Sequence, residues 1–543
     1  MNNVVVTGFM GTGKTAVGEA VAELLRRPFV DMDLEIEKRA QKPIPRIFAE
    51  DGEEAFRALE SDLCHELSSQ EGLVIATGGG ALVNPDNRQA MIAGGNVVCL
   101  DCGPDEILRR LTAEGDGDGI AERPLLQVDD PAAEIERLLA ARGEAYSAIP
   151  WQVDTTGLSV EEVAARVERI ASFLTLPVRH PGGQYLVHVG HGALELVGGA
   201  GRAAGVPEGG RVAIVSNPVV APLYVERVEK SLAAAALQPF ACSMPDGEEH
   251  KTLATVAGLY EQFLAGDLDR SGTVLSLGGG VTGDVAGFAA ASFMRGVRLV
   301  QVPTTLLAMV DASVGGKTGV DLPQGKNLAG AFKQPALVLV DPAVLQTLPA
   351  DEIRCGLAEM IKHGVIGAPD LFAELERGAG DLAMLSGAHG DGVQAAARIA
   401  SALRVKIDIV EEDPFEQGRR AVLNLGHTVG HGLERLSDFS LRHGEAVSIG
   451  MVAAALVAVE MGRAEPSFGD RLRTVLAAWG LPVEILSYRM DQIWEAMAHD
   501  KKRQGRGLRW VLPRAVGEVE IAEDVLPDTV GSVLQHLGAK GER

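Results

Sequence analysis

Cysteine is scarce in this chain: five in 543 residues, at Cys64, Cys99, Cys102, Cys242 and Cys355. So thin a scatter excludes a disulfide-stapled scaffold and favours reduced thiols in the cytoplasm. Cys99 and Cys102 form one isolated pair after the strand-like run Val97–Leu100. With no second pair, they read as packed thiols rather than a zinc site. Positive charge is also short, with 50 Lys and Arg against 74 Asp and Glu, a net charge of −24 and a pI near 5.0. A nucleic acid or an anionic membrane demands clustered basic surface, so neither partner is expected and the basic residues should sit inside sites. Long polar tracts, low-complexity segments and internal repeats are missing, which excludes a disordered or repetitive chain. The longest apolar stretch, Ala446–Val459, is too short and too rich in Ala and Gly for a membrane span and reads as a buried helix. Met1 is followed almost at once by the apolar run Val4–Val6 and a glycine loop, without a charged n-region and cleavable h-region, so no export signal is expected.

What is present is too much for one core: 46% hydrophobic residues spread over 543 positions predict two or more globular domains. Val4–Val6, Val74–Ala76 and Val97–Leu100 read as strands between amphipathic stretches such as Ala16–Arg26 and Glu53–Glu66. That alternation predicts a parallel sheet with crossover helices. Helical periodicity runs through Val160–Leu174 and breaks at Pro177, Pro181, Gly182 and Gly183, which places a linker at 173–183 between domains 1–172 and 184–543. A second alternation begins at Leu186–Val189 and Val212–Ser216 and continues through Val274–Leu277 and Leu299–Val302. It gives way after Pro349 to a mainly helical half, dividing the second domain into 184–349 and 350–543.

The first motif is Gly8-Phe-Met-Gly-Thr-Gly-Lys-Thr15, a glycine loop between a strand and a helix. Its backbone N–H groups can cradle phosphates, Lys14 can reach the outer phosphate oxygens, and Thr15 can hold magnesium. Gly11, Thr12, Gly13 and Ala16 complete the ATP-binding turn. After it come Asp31 and Asp33, the run GEEAFR ending in Arg57, Gly78-Gly79-Gly80, Arg123-Pro-Leu-Leu, and Arg142. Taken singly, two aspartates after a strand cap a helix and scattered arginines coat a surface. In this order, over residues 1–172, they resemble shikimate kinase. The resemblance implies that Asp31 supports magnesium and Asp33 contacts the acceptor hydroxyl. It also implies that Arg57, Arg142, Gly79 and Gly80 hold the acid, while Arg123 closes from a lid. A planar guanidinium suits a carboxylate. The lid segment Ala113–Glu122 departs from expectation, being acidic and Gly-rich where a cover for ATP should carry positive charge.

In the second domain, Asp246-Gly-Glu248 and Lys251 precede a GGGVTGD turn at Gly278–Asp284, and Pro303-Thr304-Thr305 follows. Glycines after a strand let backbone approach a pyrophosphate. This order, with Asn217 after an early strand, is similar to the NAD-binding half of 3-dehydroquinate synthase. The segments VDASVGGKTGVD, GKNLAGAF, GLAEMIKHG, LNLGHTVGHGLE and HGEAV extend the resemblance over residues 186–535. His427 and His431 lie four apart on a presumed helix, so both can face one ion.

The resemblance implies a fold of two parts, an α/β NAD-binding half and a mainly helical metal-binding half, behind a P-loop kinase sheet. It implies that Asn217, Glu248, Lys251, Gly279, Gly280, Asp284, Thr304, Thr305, Lys317, Lys326 and Thr347 meet NAD. It makes Glu359, His427 and His443 the ligands of zinc, or of cobalt in its place, and leaves His431 beside the substrate. Lys317, Asn327, Arg420, Asn424 and Lys502 would surround substrate phosphate and carboxylate, with Asp311, Lys326, Lys362 and Lys406 nearby. Lys362, Lys406 and His431 would serve catalysis, and Arg295 would reach across from a partner subunit of a homodimer formed through this domain. Read whole, the chain resembles a fusion of two shikimate-pathway enzymes, with ATP and magnesium in the first and NAD and zinc in the second. Rival readings are another sugar-phosphate cyclase, a polyol dehydrogenase, and a regulatory nucleotide sensor with a degenerate enzyme half.

Overall fold

The structure, a computed structural model, describes residues 2–113, 126, 128, 130–438, 440–485, 488–504 and 509–541, with 498–504 as backbone alone. It divides into two compact units. One comprises Met1–Thr175, Glu195–Gly210 and Arg227–Gln238, and the other Leu176–Leu194, Arg211–Glu226 and Pro239–Arg543.

The first unit is built on β1 (Asn3–Gly8), β2 (Phe29–Asp31), β3 (Val74–Ala76), β4 (Gly95–Asp101) and β5 (Trp151–Asp154). Their order is β2-β3-β1-β4-β5, and every neighbouring pair is parallel. Parallel pairing requires crossovers, which the helices Lys14–Leu25, Gly52–Ser68, Pro85–Gly94 and Pro131–Ser147 supply. Every residue of β1 is buried, because a central strand covered on both faces has no solvent side on which to alternate. The carboxyl ends of β1 and β3 carry the loops 8–15 and 78–80, the edge where open parallel sheets bind ligands. All five cysteines are free and buried.

The remaining strands are β6 (Leu174–His180), β7 (Gly183–Val189), β8 (Arg211–Ser216), β9 (Gln238–Ser243), β10 (Thr273–Gly278), β11 (Arg298–Pro303), β12 (Lys317–Leu322), β13 (Gly325–Phe332), β14 (Leu337–Val340), β15 (Trp510–Ala515) and β16 (Glu518–Ala522). Seven of them form one sheet, in the order β6-β7-β14-β11-β10-β8-β9. The pairs β12–β13 and β15–β16 are separate antiparallel ribbons.

The expected linker at 173–183 is corrected here. Those residues form β6 and the two-residue connection to β7, which is its neighbour in the sheet. Proline lacks the N–H that a central strand needs, but β6 is an edge strand, where Pro177 is tolerated. The Pro and Gly residues that read as a break between domains therefore mark an edge and a turn. The first unit also gathers 195–210 and 227–238, which the expected division at 172 assigned to the second domain.

From Ala350 onward helices dominate, as expected, with the ribbon β15–β16 as the exception. Helix His443–Glu460 is apolar on all sides and mostly buried, so it is a core helix although its length and composition match a membrane span. It packs against helix His427–Leu436 with little room between the backbones. A Cβ on Gly430 would lie 3.0 Å from the carbonyl oxygen of Ala446.

Candidate active sites

In the first unit the glycine loop leaves β1 with Gly11 and Gly13 in left-handed conformations, at φ 76° and 90°. Lys14 opens the following helix, and its Nζ donates to the carbonyl of Phe9 at 2.9 Å, folding back across the loop. Asp31 uses its two carboxylate oxygens separately. One carboxylate oxygen caps helix Met32–Ala40 by accepting from the N–H of Asp33 at 3.0 Å, and the other accepts from the Thr15 hydroxyl at 2.8 Å. A hydroxyl and a carboxylate joined beside a phosphate loop suit magnesium.

Across the sheet edge, Gly78–Gly80 brings together the residues expected to hold the acid. A Cβ on Gly78 would lie 2.8 Å from both Asp33 Oδ1 and Glu60 Oε1, so a larger residue there would displace these two carboxylates. Arg57 donates to Glu60 at 2.7 Å, and Arg142 donates to the Gly79 carbonyl at 3.1 Å while its guanidinium lies over the Phe9 ring. Tyr146 donates to the same carbonyl at 2.6 Å. Glu60 is buried, and burial pushes its carboxyl up against the opposing charge of Arg57. Neither Glu60 nor Tyr146 is evident in the sequence as a site residue. Glu60 does stand three residues after Arg57 on one helix, a spacing that pairs side chains. Ala16 is exposed beside the loop, and Arg123 lies outside the described residues, as do residues 114–125 of the lid.

In the second unit β10 ends at Gly278, and Gly279 caps helix Gly280–Ser292. The side chain of Thr304 is buried with a hydroxyl that has no hydrogen-bond partner, while its backbone N–H donates to the Gly278 carbonyl at 2.9 Å. An orphaned hydroxyl beside a glycine turn is a ready ligand contact. Nearby, Lys251 is buried between Asn327 Oδ1 at 2.6 Å and Asp284 Oδ2 at 2.7 Å. Burial pushes the Asp284 carboxyl up to about 6, although Lys251 pulls it down. Asn217 donates to Asp246 at 2.7 Å, and Thr347 shares a hydroxyl contact with Tyr224 at 2.5 Å. Lys326 bridges Glu248 at 3.4 Å and Glu434 at 3.8 Å.

Three histidines, His427, His431 and His443, converge in this unit, with Glu359 close to two of them. His427 follows the left-handed Gly426 and opens its helix, His431 lies one turn on, and His443 opens the next helix. The ligand atoms of the three histidines lie within 4.8 Å of one another. Glu359 is wholly buried with no hydrogen bond to either carboxylate oxygen, although the ammonium of Lys362 pairs with it. His427 Nε2 lies 3.9 Å and His443 Nε2 3.5 Å from Glu359 Oε1. The Nδ1 atoms are otherwise engaged, His427 with the Leu425 carbonyl at 3.2 Å and His443 with Glu434 Oε2 at 3.4 Å. Both rings therefore present Nε2 toward one buried carboxylate. Burial, then the charge of Lys362, holds His427 well below the ordinary imidazole range, in the neutral form a metal takes. Burial opposes ionisation of Glu359, but Lys362 and the two histidines outweigh it and hold the carboxyl well below its usual range.

Beside these residues Lys406 donates to Asp311 at 2.5 Å, and His363 Nε2 lies 3.9 Å from the same oxygen. Burial lowers Lys406 and Arg420, while Asp311 is held low because the charges of Lys406 and Lys362 exceed its burial cost. Arg420 is buried, donating to the carbonyls of Pro414 at 2.8 Å and Gly315 at 3.3 Å. Lys317 pairs with Glu416, and Asn424 is exposed. Thr305 accepts from the N–H of Ala308 at 3.2 Å. Arg295 is exposed in a left-handed turn at φ 71°. The Lys502 side chain lies outside the described residues.

The family model for shikimate kinase matches residues 10–171, and those for the N- and C-terminal parts of 3-dehydroquinate synthase match 241–355 and 356–503. The 3-dehydroquinate synthase of Synechocystis sp. is 44% identical over 362 residues, covering 66% of this chain and 99% of its own. That of Geobacter metallireducens is 45% identical over 338 residues, covering 62% of this chain and 92% of its own. Among solved structures, the 2-epi-5-epi-valiolone synthase of Streptomyces hygroscopicus, with NAD+ and Zn2+ bound, aligns with a TM-score of 0.59 at 29% identity over 65% of this chain and 96% of its own. A 2-deoxy-scyllo-inosose synthase complexed with carbaglucose-6-phosphate, NAD+ and Co2+ aligns with a TM-score of 0.60 at 26% identity over 67% of this chain and 99% of its own. Over its C-terminal two thirds the chain belongs to the 3-dehydroquinate synthase family, and ahead of that it carries a shikimate kinase domain.

Proposed function

We propose that one polypeptide performs two reactions of the shikimate pathway. The N-terminal unit phosphorylates shikimate to shikimate 3-phosphate with magnesium ATP. The C-terminal unit cyclises 3-deoxy-D-arabino-heptulosonate 7-phosphate to 3-dehydroquinate with loss of phosphate. The observation that carries the second assignment is the approach of Nε2 of His427 and of His443 to one oxygen of the buried Glu359, in the unit that holds the glycine turn.

In the kinase, positioning and charge neutralisation do most of the work of phosphoryl transfer. Lys14 and the loop N–H groups hold ATP, and Thr15 with Asp31 holds magnesium. Arg57 and Arg142 grip the acid, with Asp33 beside the acceptor hydroxyl. Glu60 fixes the Arg57 fork from the buried side. Arg123 would reach the transferring phosphate from the lid.

In the cyclase, Glu359, His427 and His443 would hold zinc or cobalt, and the residues around Gly278–Gly280 would hold NAD. When bound, NAD supplies a reversible hydride acceptor and the metal polarises a substrate oxygen. The residues of the chain do the rest. Lys317, Asn327 and Arg420 bind phosphate and carboxylate, and Lys362 and Lys406 stabilise developing negative charge. His431 stands beside the proposed ligands without being one of them, and would move a proton there. Arg295 of a second copy would complete the site of a cytoplasmic homodimer.

A polyol dehydrogenase is disfavoured because a neutral polyol has no use for so many fixed cations. Other sugar-phosphate cyclases share the fold, but the higher identity is to 3-dehydroquinate synthases. Purified full-length protein should turn over shikimate with magnesium ATP and, separately, heptulosonate phosphate with a trace of NAD. Absence of either turnover would overturn that half of the reading, and absence of both would favour a regulatory nucleotide sensor.

A further inference from the structure

We infer that Glu434 is a positioning residue for the metal centre: its carboxylate fixes the tautomer and orientation of His443 and so strengthens metal binding. The inference rests on the ligand set proposed above. Glu434 is nearly buried, and a buried carboxylate is costly unless partnered. Its partners are His443 Nδ1, 3.4 Å from Oε2, and Lys326 Nζ, 3.8 Å from Oε1.

The placement follows from helix geometry. His427, His431 and Glu434 occupy positions i, i+4 and i+7 of one helix and share a face. His443 opens the next helix, and the small residues at Gly426 and Gly430 let that helix come close. Glu434 thus meets the far side of the His443 ring, while Nε2 points at Glu359, 3.5 Å away.

An imidazole that donates its Nδ1 proton to a carboxylate is fixed with a free electron pair on Nε2, and the carboxylate raises the basicity of that nitrogen. His427 receives the same orientation from the Leu425 carbonyl, a neutral acceptor. The two ligands are therefore unequal. His443 is the one backed by a charge, and it is also the more exposed, at 31% against 13%. The carboxylate supplies the restraint that packing gives His427.

The cluster of Asp311, Glu359 and His363 is the other group that could hold an ion. Of that group Glu359 already belongs to the ligand set proposed above, and Asp311 is paired with Lys406, so the group offers no separate site. Glu434 is less closely paired: its lysine lies at the longer distance, on the oxygen away from the histidine.

The test uses the full chain and zinc alone, titrated against a chromophoric chelator, with cobalt-substituted protein examined for its visible band. Glu434→Gln should bind zinc about 10- to 100-fold more weakly, the range for loss of an outer partner of a ligating histidine. Its cobalt band should shift, a signature that a merely structural role would not move. Should Glu434→Gln not yield folded protein, Glu434→Asp retracts the charge by one methylene and should show the same loss. Wild-type zinc affinity together with an unshifted cobalt band in the variant would overturn the role of Glu434. Failure of the ligand set would show separately, as wild-type zinc binding in His443→Ala.

Discussion

His443 Nε2 lies 3.5 Å from Glu359 Oε1, although 84 positions separate the two residues in the sequence (443 − 359 = 84). With His427 Nε2 at 3.9 Å from the same oxygen, this approach defines the proposed metal pocket. His443→Ala should lose bound zinc, whereas His431→Ala should keep it and lose cyclase rate. Metal content of the purified variants decides the matter, and equal zinc in His443→Ala and wild type would remove His443 from the ligand set.

The helix contact that builds this pocket depends on Gly426, which is left-handed at φ 82° and immediately precedes His427. A Cβ there would lie 2.8 Å from the Val447 carbonyl oxygen and 2.9 Å from Met451 Cγ. Gly426→Ala should cost about 1–3 kcal/mol of stability through backbone strain and should also lower zinc retention. Thermal melting with and without zinc reads both effects, and a variant that melts like wild type would show that the glycine is not required.

The phosphate loop, the GGG turn and the HTVGH segment each gather their residues into a few consecutive positions, so spacing marked them, while the roles expected of the GGG turn and of the metal ligands came from the family resemblance. Strands Val74–Ala76 and Val97–Leu100 were visible for the same reason, as short apolar runs between helices. Phe29–Asp31 and Trp151–Asp154 were not, because three or four residues carry no period. Leu174–His180 was hidden by Pro177, which marks an edge strand as readily as a linker. Glu60 and Glu434 look in sequence like ordinary helix acids. Only the packing shows that both are buried, though the i+3 spacing from Arg57 and the i+7 spacing from His427 were signals.

The kinase and cyclase use different residues, so one can be silenced alone. Lys14→Ala should reduce shikimate phosphorylation by at least about 100-fold, the scale of losing a charge that stabilises a transition state. It should leave 3-dehydroquinate formation unchanged. Parallel assays of one preparation check this, and loss of both activities would contradict the independence of the sites.

Asp284 gives a pH dependence with a definite sign. Burial pushes its carboxyl up to about 6 in the folded chain, despite Lys251. A carboxyl raised in this way stabilises the fold fully below its unfolded value near 4 and loses that contribution as pH rises through about 6. Asp284→Asn should therefore gain on wild type in melting temperature as pH rises from about 4 to about 7. A difference that stays flat or shrinks over that window would show that Asp284 is not the group responsible.

The cyclase reading requires the hydride to be returned within each turnover, since cyclisation with phosphate loss leaves no net oxidation. The most direct measurement follows phosphate release and absorbance at the NADH band together, with heptulosonate phosphate in large excess over NAD. Continuous phosphate release without accumulating NADH, sustained by a trace of NAD, is the predicted result. NADH released in step with substrate consumption would identify a dehydrogenase and contradict the assignment.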